Sequence, residues 1–310
     1  MKSREFDVVT GAFGYTGKYI TRRLLAMGRG VRTLTGHPER GAGSNGNIEV
    51  VPLQFDRPAE LVESLRGAAT LYNTYWVRFP RGNITYERAV ENTRILVNAA
   101  REAGVRRIVH LSITNPSEGS KLGYFRGKAE IETLIAASGI AFAILRPTVI
   151  FGVEDVLINN IAWLLRHSPV FAIPGSGEYR LQPVYVVDVA EMAVAAGKDT
   201  VNKVMDAVGP EIFTFQELVQ LIAARVGSHA RIVRMPQGVA HLLSRLVGWA
   251  VHDVVLTREE VAGLMAGLLV SSNGPTGRTR LSEWTGRHAH LLGRRYTSEL
   301  RRHYRSEVKS

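Results

Sequence analysis

The chain has 310 residues, 45% of them hydrophobic, enough to bury a sizeable core as one large domain or as a nucleotide domain with a smaller companion. It contains no cysteine, which excludes disulfides, thiolate catalysis and cysteine-ligated metal, and its nine histidines are scattered without metal-site spacing. The net charge of +11 lies partly at the C-terminus: Ser271 to Ser310 carries nine Lys/Arg against three Asp/Glu, with Arg294-Arg295 and Arg301-Arg302 close together. No helix-turn-helix, zinc-finger or aromatic RNA-binding pattern accompanies these charges. A solvated basic face is therefore expected and nucleic acid is not, while attraction to acidic substrates or anionic membrane surfaces stays open. No apolar run reaches the roughly 18 residues of a membrane span, and the first residues, with Arg4, Glu5 and Asp7, lack the apolar centre of a signal peptide. The expectation is a cytoplasmic protein acting on a small molecule, with peripheral membrane contact left open and the oligomeric state undetermined.

Taken in order, the chain begins with an apolar strand at Phe6-Asp7-Val8-Val9 that runs into T-G-A-F-G-Y-T-G-K-Y-I, Thr10 to Ile20. The glycines Gly11, Gly14 and Gly17 are spaced three and three. Gly11 suits a sharp turn out of a buried strand, Gly14 lets backbone approach a pyrophosphate, and Gly17 lets the next helix pack on the strand. That helix, with Ile20, Leu24 and Leu25, then points its N-terminus at the phosphates. A glycine triplet alone is weak, but this one sits between a strand and an amphipathic helix, as dinucleotide binding requires.

A second strand, Gly30 to Thr35, ends in Gly36-His37-Pro38-Glu39-Arg40. NAD sites place an acid at that end for the ribose 2′-hydroxyl, whereas NADP needs donors for the 2′-phosphate. Because no acid precedes Glu39 while His37 and Arg40 are present, NADP is favoured over NAD. A Gly/Ser/Asn loop follows at 41–47, then a strand from Ile48 to Leu53 and a helix from Ala59 to Leu65. Between them Asp56 is either an acceptor at the adenine edge or a helix cap. A fourth strand is expected over Thr70 to Trp76, a long helix over Glu87 to Ala103, and a fifth strand over Arg107 to Ser112. This alternation argues for an α/β fold with a parallel, doubly wound sheet, the Rossmann fold.

Tyr124-Phe125-Arg126-Gly127-Lys128 opens the next helix, which runs to Ala137. One turn separates Tyr124 from Lys128, so both project to one side. A nearby ammonium favours phenolate over phenol, which suits Tyr124 to proton exchange with a carbinol or carbonyl oxygen while hydride moves to or from a nicotinamide. The sixth strand, Phe142 to Gly152, contains Pro147, which must end the sheet ladder. Beyond it come an apolar helix over Ile158 to Leu165, a turn at Ile173 to Gly177, and an extended stretch from Gln182 that enters a helix with Asp188 as its expected N-cap. Val239 to Val251 alternates apolar and basic residues, and Leu256 to Val270 carries a Leu/Met stripe that reads as core; a basic amphipathic helix on a membrane surface is the other reading.

Together these stretches resemble the short-chain dehydrogenase/reductase superfamily, in its extended or atypical branch near the NmrA-like and complex I 39-kDa-subunit-like proteins. The carriers are T-G-A-F-G-Y-T-G at Thr10 to Gly17, E-N-T at Glu91 to Thr93, V-H-L-S at Val109 to Ser112, Y-F-R-G-K at Tyr124 to Lys128, L-R-P-T at Leu145 to Thr148, V-Y-V-V-D-V-A at Val184 to Ala190, T-R-E-E-V at Thr257 and L-G-R-R-Y at Leu292.

The resemblance implies a nucleotide domain over 1–150 to which 183–208 return, and a smaller, mostly helical substrate region over 151–182 and 209–310. It implies Tyr124 as acid/base, Lys128 as its partner and a ligand of the nicotinamide ribose, and Ser112 or Thr114 as the group orienting the substrate oxygen. Cofactor contacts are expected from Gly11, Phe13, Gly14, Tyr15, Thr16 and Gly17 at the phosphates, His37 and Arg40 at the 2′-phosphate, and Asp56 at the adenine. Asn73 and Thr74 would border the middle of the cofactor, and Pro147 and Thr148 the nicotinamide. The implied activity is NADP-dependent oxidoreduction of a carbonyl or alcohol. A nucleotide-sugar epimerase or dehydratase, and a non-catalytic NAD(P)-bound redox sensor or accessory subunit, are the alternatives.

Overall fold

The computed structural model describes residues 5–43, 46–236, 238, 253 and 257–300. The chain forms two compact units, one of Met1–Pro147 with Val186–Ala207 and one of Thr148–Tyr185 with Val208–Ser310.

The first unit is built on seven parallel strands: β1 (Phe6–Thr10), β2 (Gly30–Thr35), β3 (Ile48–Pro52), β4 (Ala68–Asn73), β5 (Arg107–Leu111), β6 (Ala141–Pro147) and, from the returning segment, a strand at Lys203–Ala207. From one edge the order is the Lys203–Ala207 strand, β6, β5, β4, β1, β2, β3, with every pairing parallel. The order reverses between β1 and β4, so a crevice opens at the carboxyl ends of these two strands. Both faces of such a sheet are covered, which is why β4 and β5 are buried at every residue, the polar Thr70, Asn73, Arg107 and His110 included.

Helices α1 (Tyr15–Ala26), α2 (Pro58–Leu65), α3 (Tyr86–Glu102) and α4 (Gly123–Ala136) follow β1, β3, β4 and β5. The helices α2, α3 and α4 pack side by side, and their apolar stripes, among them Leu61, Leu65, Leu96, Ile131 and Ile135, close one core over Val8, Leu34, Leu71 and Ile108. On the other side α1 packs on the helix Val186–Lys198. Thr85 caps α3 by accepting from the Arg88 N–H at 3.1 Å.

Several elements differ from the sequence-based expectation. The fourth strand stops at Asn73 instead of reaching Trp76, because the Thr10 hydroxyl captures the N–H groups of Thr74 (2.7 Å) and Tyr75 (3.1 Å). Asp56 is not a helix cap: it stands exposed one residue before Arg57, the N-cap of α2. Asp188 lies inside the first turn of the helix Val186–Lys198, where its charge complements the helix dipole. The stretch 142–152 is broken at Pro147 as expected, and β7 (Ile150–Phe151) then pairs elsewhere.

In the second unit β7 pairs with Val184–Tyr185, and β8 (Val170–Pro174) pairs in parallel with Arg231–Met235. Its core gathers Phe151, Ile158, Leu165, Ile173, Leu218, Ile222 and Trp284. The Thr257 signal is a complete capping box, with Thr257 and Glu260 each accepting from the other's backbone N–H. Val239 to Val251 lies outside the described residues.

One tight contact in the first unit offers a test of packing. Gly197 stands against the buried Tyr72, so that a β-carbon at position 197 would collide with the phenol oxygen. Gly197→Ala is expected to cost about 1–3 kcal/mol of stability in denaturant unfolding. Adding Tyr72→Phe should recover part of that loss, and a purely additive double variant would contradict the contact.

Candidate active site

The carboxyl end of β1 carries the glycine turn. Gly11 has φ +68°, its N–H donates to Leu34 O at 2.8 Å, and its own carbonyl accepts from Gly14 N–H at 2.8 Å. A β-carbon on Gly17 would land on that carbonyl, and one on Gly14 would stand 3.1 Å from it. Glycine at 17 is thus what allows α1 to begin so close to β1. Gly14 caps the helix without a side-chain bond, and no acid lies in the first turn. The first turn of α1 and the positive end of its dipole therefore stand at the carboxyl end of β1, after Phe13, where such a cradle favours an anion.

Thr10 ties the cradle to β4. Besides accepting from Thr74 and Tyr75, its hydroxyl lies 3.3 Å from Asn73 Oδ1, and its carbonyl accepts from the Thr74 hydroxyl at 2.5 Å. Asn73 is fully buried: Oδ1 accepts from Tyr75 N–H at 3.1 Å and Nδ2 donates to Nδ1 of His110 at 3.2 Å. Because Nδ1 accepts, the neutral His110 ring carries its proton on Nε2. Burial, reinforced by the charge of Lys128, holds His110 well below the usual histidine range. Asn73 and Thr74 thus shape the crevice through this network, with their side chains engaged inside the protein. Sequence reasoning missed His110, whose signal was a polar residue between the apolar Val109 and Leu111 of a buried strand.

At the end of β2, His37 N–H donates to the Thr35 hydroxyl at 3.0 Å and Arg40 N–H donates to His37 O at 3.1 Å. Glu39, read from sequence as too late to matter, places its carboxylate 3.3 Å from His37 Nδ1. Beyond β3, Phe55 packs against Tyr75 with ring centroids 5.0 Å apart, and Asp56 follows it at the surface.

Tyr124 and Lys128 stand on the first two turns of α4, after β5. Tyr124 is half-buried and meets Trp76 (5.5 Å) and Tyr86 (5.9 Å) edge to face. Lys128 is 3% exposed; its Nζ donates to Leu111 O at 2.7 Å and lies 4.8 Å from the Trp76 ring centroid. Burial pushes Lys128 down to about 7, against the opposing pull of Glu132 one turn further along α4.

Glu132 is itself held by Arg146 of β6 through both guanidinium nitrogens, Nε and Nη2, and accepts the Ser112 hydroxyl at 2.5 Å. Thr114 donates its hydroxyl to Arg146 O at 2.9 Å. Both candidate substrate-orienting hydroxyls therefore already donate within the protein. Pro147 closes β6, whereas Thr148 begins the second unit, where its hydroxyl donates to Gln182 O. Among the described residues no cluster of His, Cys, Asp or Glu could hold a metal ion, and no helix is long and apolar enough to cross a membrane.

The profile of the NmrA-like family matches residues 7–285. The mitochondrial NADH dehydrogenase [ubiquinone] 1 alpha subcomplex subunit 9 of Arabidopsis thaliana is 26% identical over 288 residues, covering 86% of this chain and 71% of that protein. The photosystem II assembly factor Ycf39 of Cyanophora paradoxa is 22% identical, over 79% of this chain and 78% of its own. Among solved structures, the triphenylmethane reductase of Citrobacter sp. complexed with NADP(H) superposes with a TM-score of 0.72 at 20% identity, covering 92% of this chain and 99% of its own. The NADPH-dependent quinone oxidoreductase of Escherichia coli complexed with NADPH gives 0.71 at 21% identity, over 91% and 99%.

The buried lysine makes stability depend on pH in a definite direction. Its folded value is about 7 against an ordinary 10.5, so between these pH values the unfolded chain binds more protons and stability rises with pH. Below pH 7 both states are protonated and the contribution is constant. Relative to Lys128→Met, the protein is expected to gain on the order of 4 kcal/mol between pH 7 and 10 in denaturant unfolding. Parallel curves for the two proteins would contradict the burial of the amine.

Proposed function

Since the chain belongs to the NmrA-like family, we propose that it binds NADP, with NAD as the weaker alternative, and works as an oxidoreductase on a carbonyl or alcohol. The observation that carries this reading is the pairing, within one unit, of the uncapped α1 N-terminus at the end of β1 with Tyr124 and Lys128 beyond the end of β5. The cradle fits a dinucleotide: the first turn of α1 carries no acid, and glycine at 14 and 17 lets that turn start against the Gly11 carbonyl at the end of β1.

In this reading Gly11, Phe13, Gly14, Tyr15, Thr16 and Gly17 surround the pyrophosphate. His37 and Arg40 meet the 2′-phosphate, with Glu39 turning away from His37 to admit it. Asp56 takes the adenine edge, and Pro147 at the end of β6 borders the nicotinamide. When bound, the nicotinamide gives or takes a hydride. Tyr124 supplies a proton to the substrate oxygen, or removes one, and Lys128 sets the charge beside it and holds the ribose. Ser112 and Thr114 act as positioning groups, because their hydroxyl protons already go to Glu132 and Arg146.

That same engagement of Ser112 and Thr114 favours a second reading, an NADP-holding accessory or assembly protein without turnover. The similarity to a complex I subunit and to a photosystem II assembly factor supports it and would make other proteins the partners. A screen of aldehydes, ketones and quinones with NADPH separates the two. Turnover that drops at least ~100-fold in Tyr124→Phe, with NADPH affinity held within about twofold, is expected for the enzyme. NADPH binding with no turnover on any substrate would favour the accessory reading. Unchanged turnover in Tyr124→Phe would remove Tyr124 from the chemistry. His37→Ala and Arg40→Ala are each expected to weaken NADPH by about tenfold and leave NADH unchanged.

A further inference from the structure

Trp76 stands outside the cofactor and acid/base assignments made above, yet it touches both members of the Tyr124–Lys128 pair. It follows β4 in the loop that Thr10 folds over, and its indole stacks on Tyr86 with ring centroids 5.7 Å apart and planes within 7°. The place it occupies on α4 exists because residue 127 is glycine: a β-carbon there would stand 2.8 Å from Cη2 of the indole. Gly127 lies between Tyr124 and Lys128, so the ring fills the gap in the helix surface between them. The indole N–H finds no acceptor among the described residues. A hydrogen bond does not fix the ring; packing on the helix and the ammonium beside it do.

We infer that Trp76 is a positioning residue: seated in the gap that Gly127 leaves, its π face holds the Lys128 ammonium against the Leu111 carbonyl and keeps it charged beside Tyr124. An ammonium removed from water beside an aromatic face is stabilised by the ring quadrupole, and the effect grows as water is excluded. Lys128 has few other sources of support. Among the described residues, the titratable groups interacting with it are Glu132 on α4 and His110 on β5, with Arg146 on β6 engaging Glu132, and Tyr124 precedes it by one turn of α4. His110 is neutral and Glu132 is divided between Arg146 and Ser112, so the indole and the Leu111 carbonyl carry much of the stabilisation of the charge. A catalytic consequence rests on the oxidoreductase reading above, but the seat itself does not.

The test measures the ionisation of Lys128 directly. In the full-length protein labelled with 13Cε-lysine, the Lys128 resonance is assigned by its loss in Lys128→Met, and its titration midpoint is compared across Trp76→Phe, Trp76→Leu and Gly127→Ala. Trp76→Phe keeps a π face and is expected to hold the midpoint within a few tenths of a pH unit. Trp76→Leu, and Gly127→Ala, which displaces an intact indole, are expected to lower it by about one pH unit. Should Trp76→Leu not fold, Gly127→Ala and Trp76→Phe still give the comparison. A midpoint unmoved in Trp76→Leu and Gly127→Ala, with native circular dichroism and melting, would overturn the inference. So would Trp76→Phe falling as far as Trp76→Leu.

Where turnover is found, its acidic and basic limbs should move with the midpoint and Trp76→Phe should rescue them. Loss of turnover without movement of the midpoint would place Trp76 against substrate instead and overturn the positioning role. A protein that shows the midpoint shift but turns over no substrate keeps the seat and loses the oxidoreductase reading.

Discussion

The contact on which the first unit depends is the approach of α1 to β1, set by the absence of a side chain at Gly17 over the Gly11 carbonyl. That closeness brings an uncapped helix N-terminus to the point where the strand order reverses, and there main-chain N–H groups and the helix dipole favour an anion. Thr10 locks the arrangement from the other side, its hydroxyl and carbonyl ending β4 and turning the chain towards Tyr75 and Trp76. One strand end therefore fixes the cradle and also the loop that meets α4.

A second constraint is a charge held in a dry interior. Lys128 and His110 are both buried, and burial moves each of them below its ordinary value. Burial and the charge of Lys128 keep His110 neutral, with Asn73 donating to its Nδ1, whereas Lys128 is supported by a carbonyl, an aromatic face and, at one turn's remove, Glu132. The outcome is an amine whose ordinary alkaline value has come down to about 7, beside a tyrosine that is half open. The hydroxyls of Ser112 and Thr114, by contrast, already donate elsewhere, and this is the feature that keeps a binding role in contention.

Much of this was legible in sequence because it is local. Glycines at fixed spacing, a Tyr and a Lys one helical turn apart, and alternating strand and helix patterns each express a short-range rule, and the parallel Rossmann sheet follows from them. What sequence did not reveal arises between residues far apart in the chain. Trp76 looked like the end of a strand, because the capture of the Thr74 and Tyr75 N–H groups by Thr10 crosses more than sixty positions. His110 looked like one scattered histidine, since Asn73 is 37 residues away. Asp188 was placed at a helix cap, and Asp56 at a cap or the adenine edge, by residue type alone, and the backbone begins each helix elsewhere. The strands β8 and Arg231–Met235 are short and pair although two helices and several strands separate them in the chain, which leaves no local signature.

The most direct measurement is a fluorescence titration of the purified protein with NADPH and, separately, with NADH. Saturable NADPH binding at least about tenfold tighter than NADH, a difference of roughly 1.4 kcal/mol, is expected if the α1 N-terminus, His37 and Arg40 together form a dinucleotide site. Failure of both nucleotides to bind a correctly folded protein would reduce the glycine turn to a strand–helix corner and contradict the enzymatic and the accessory readings alike.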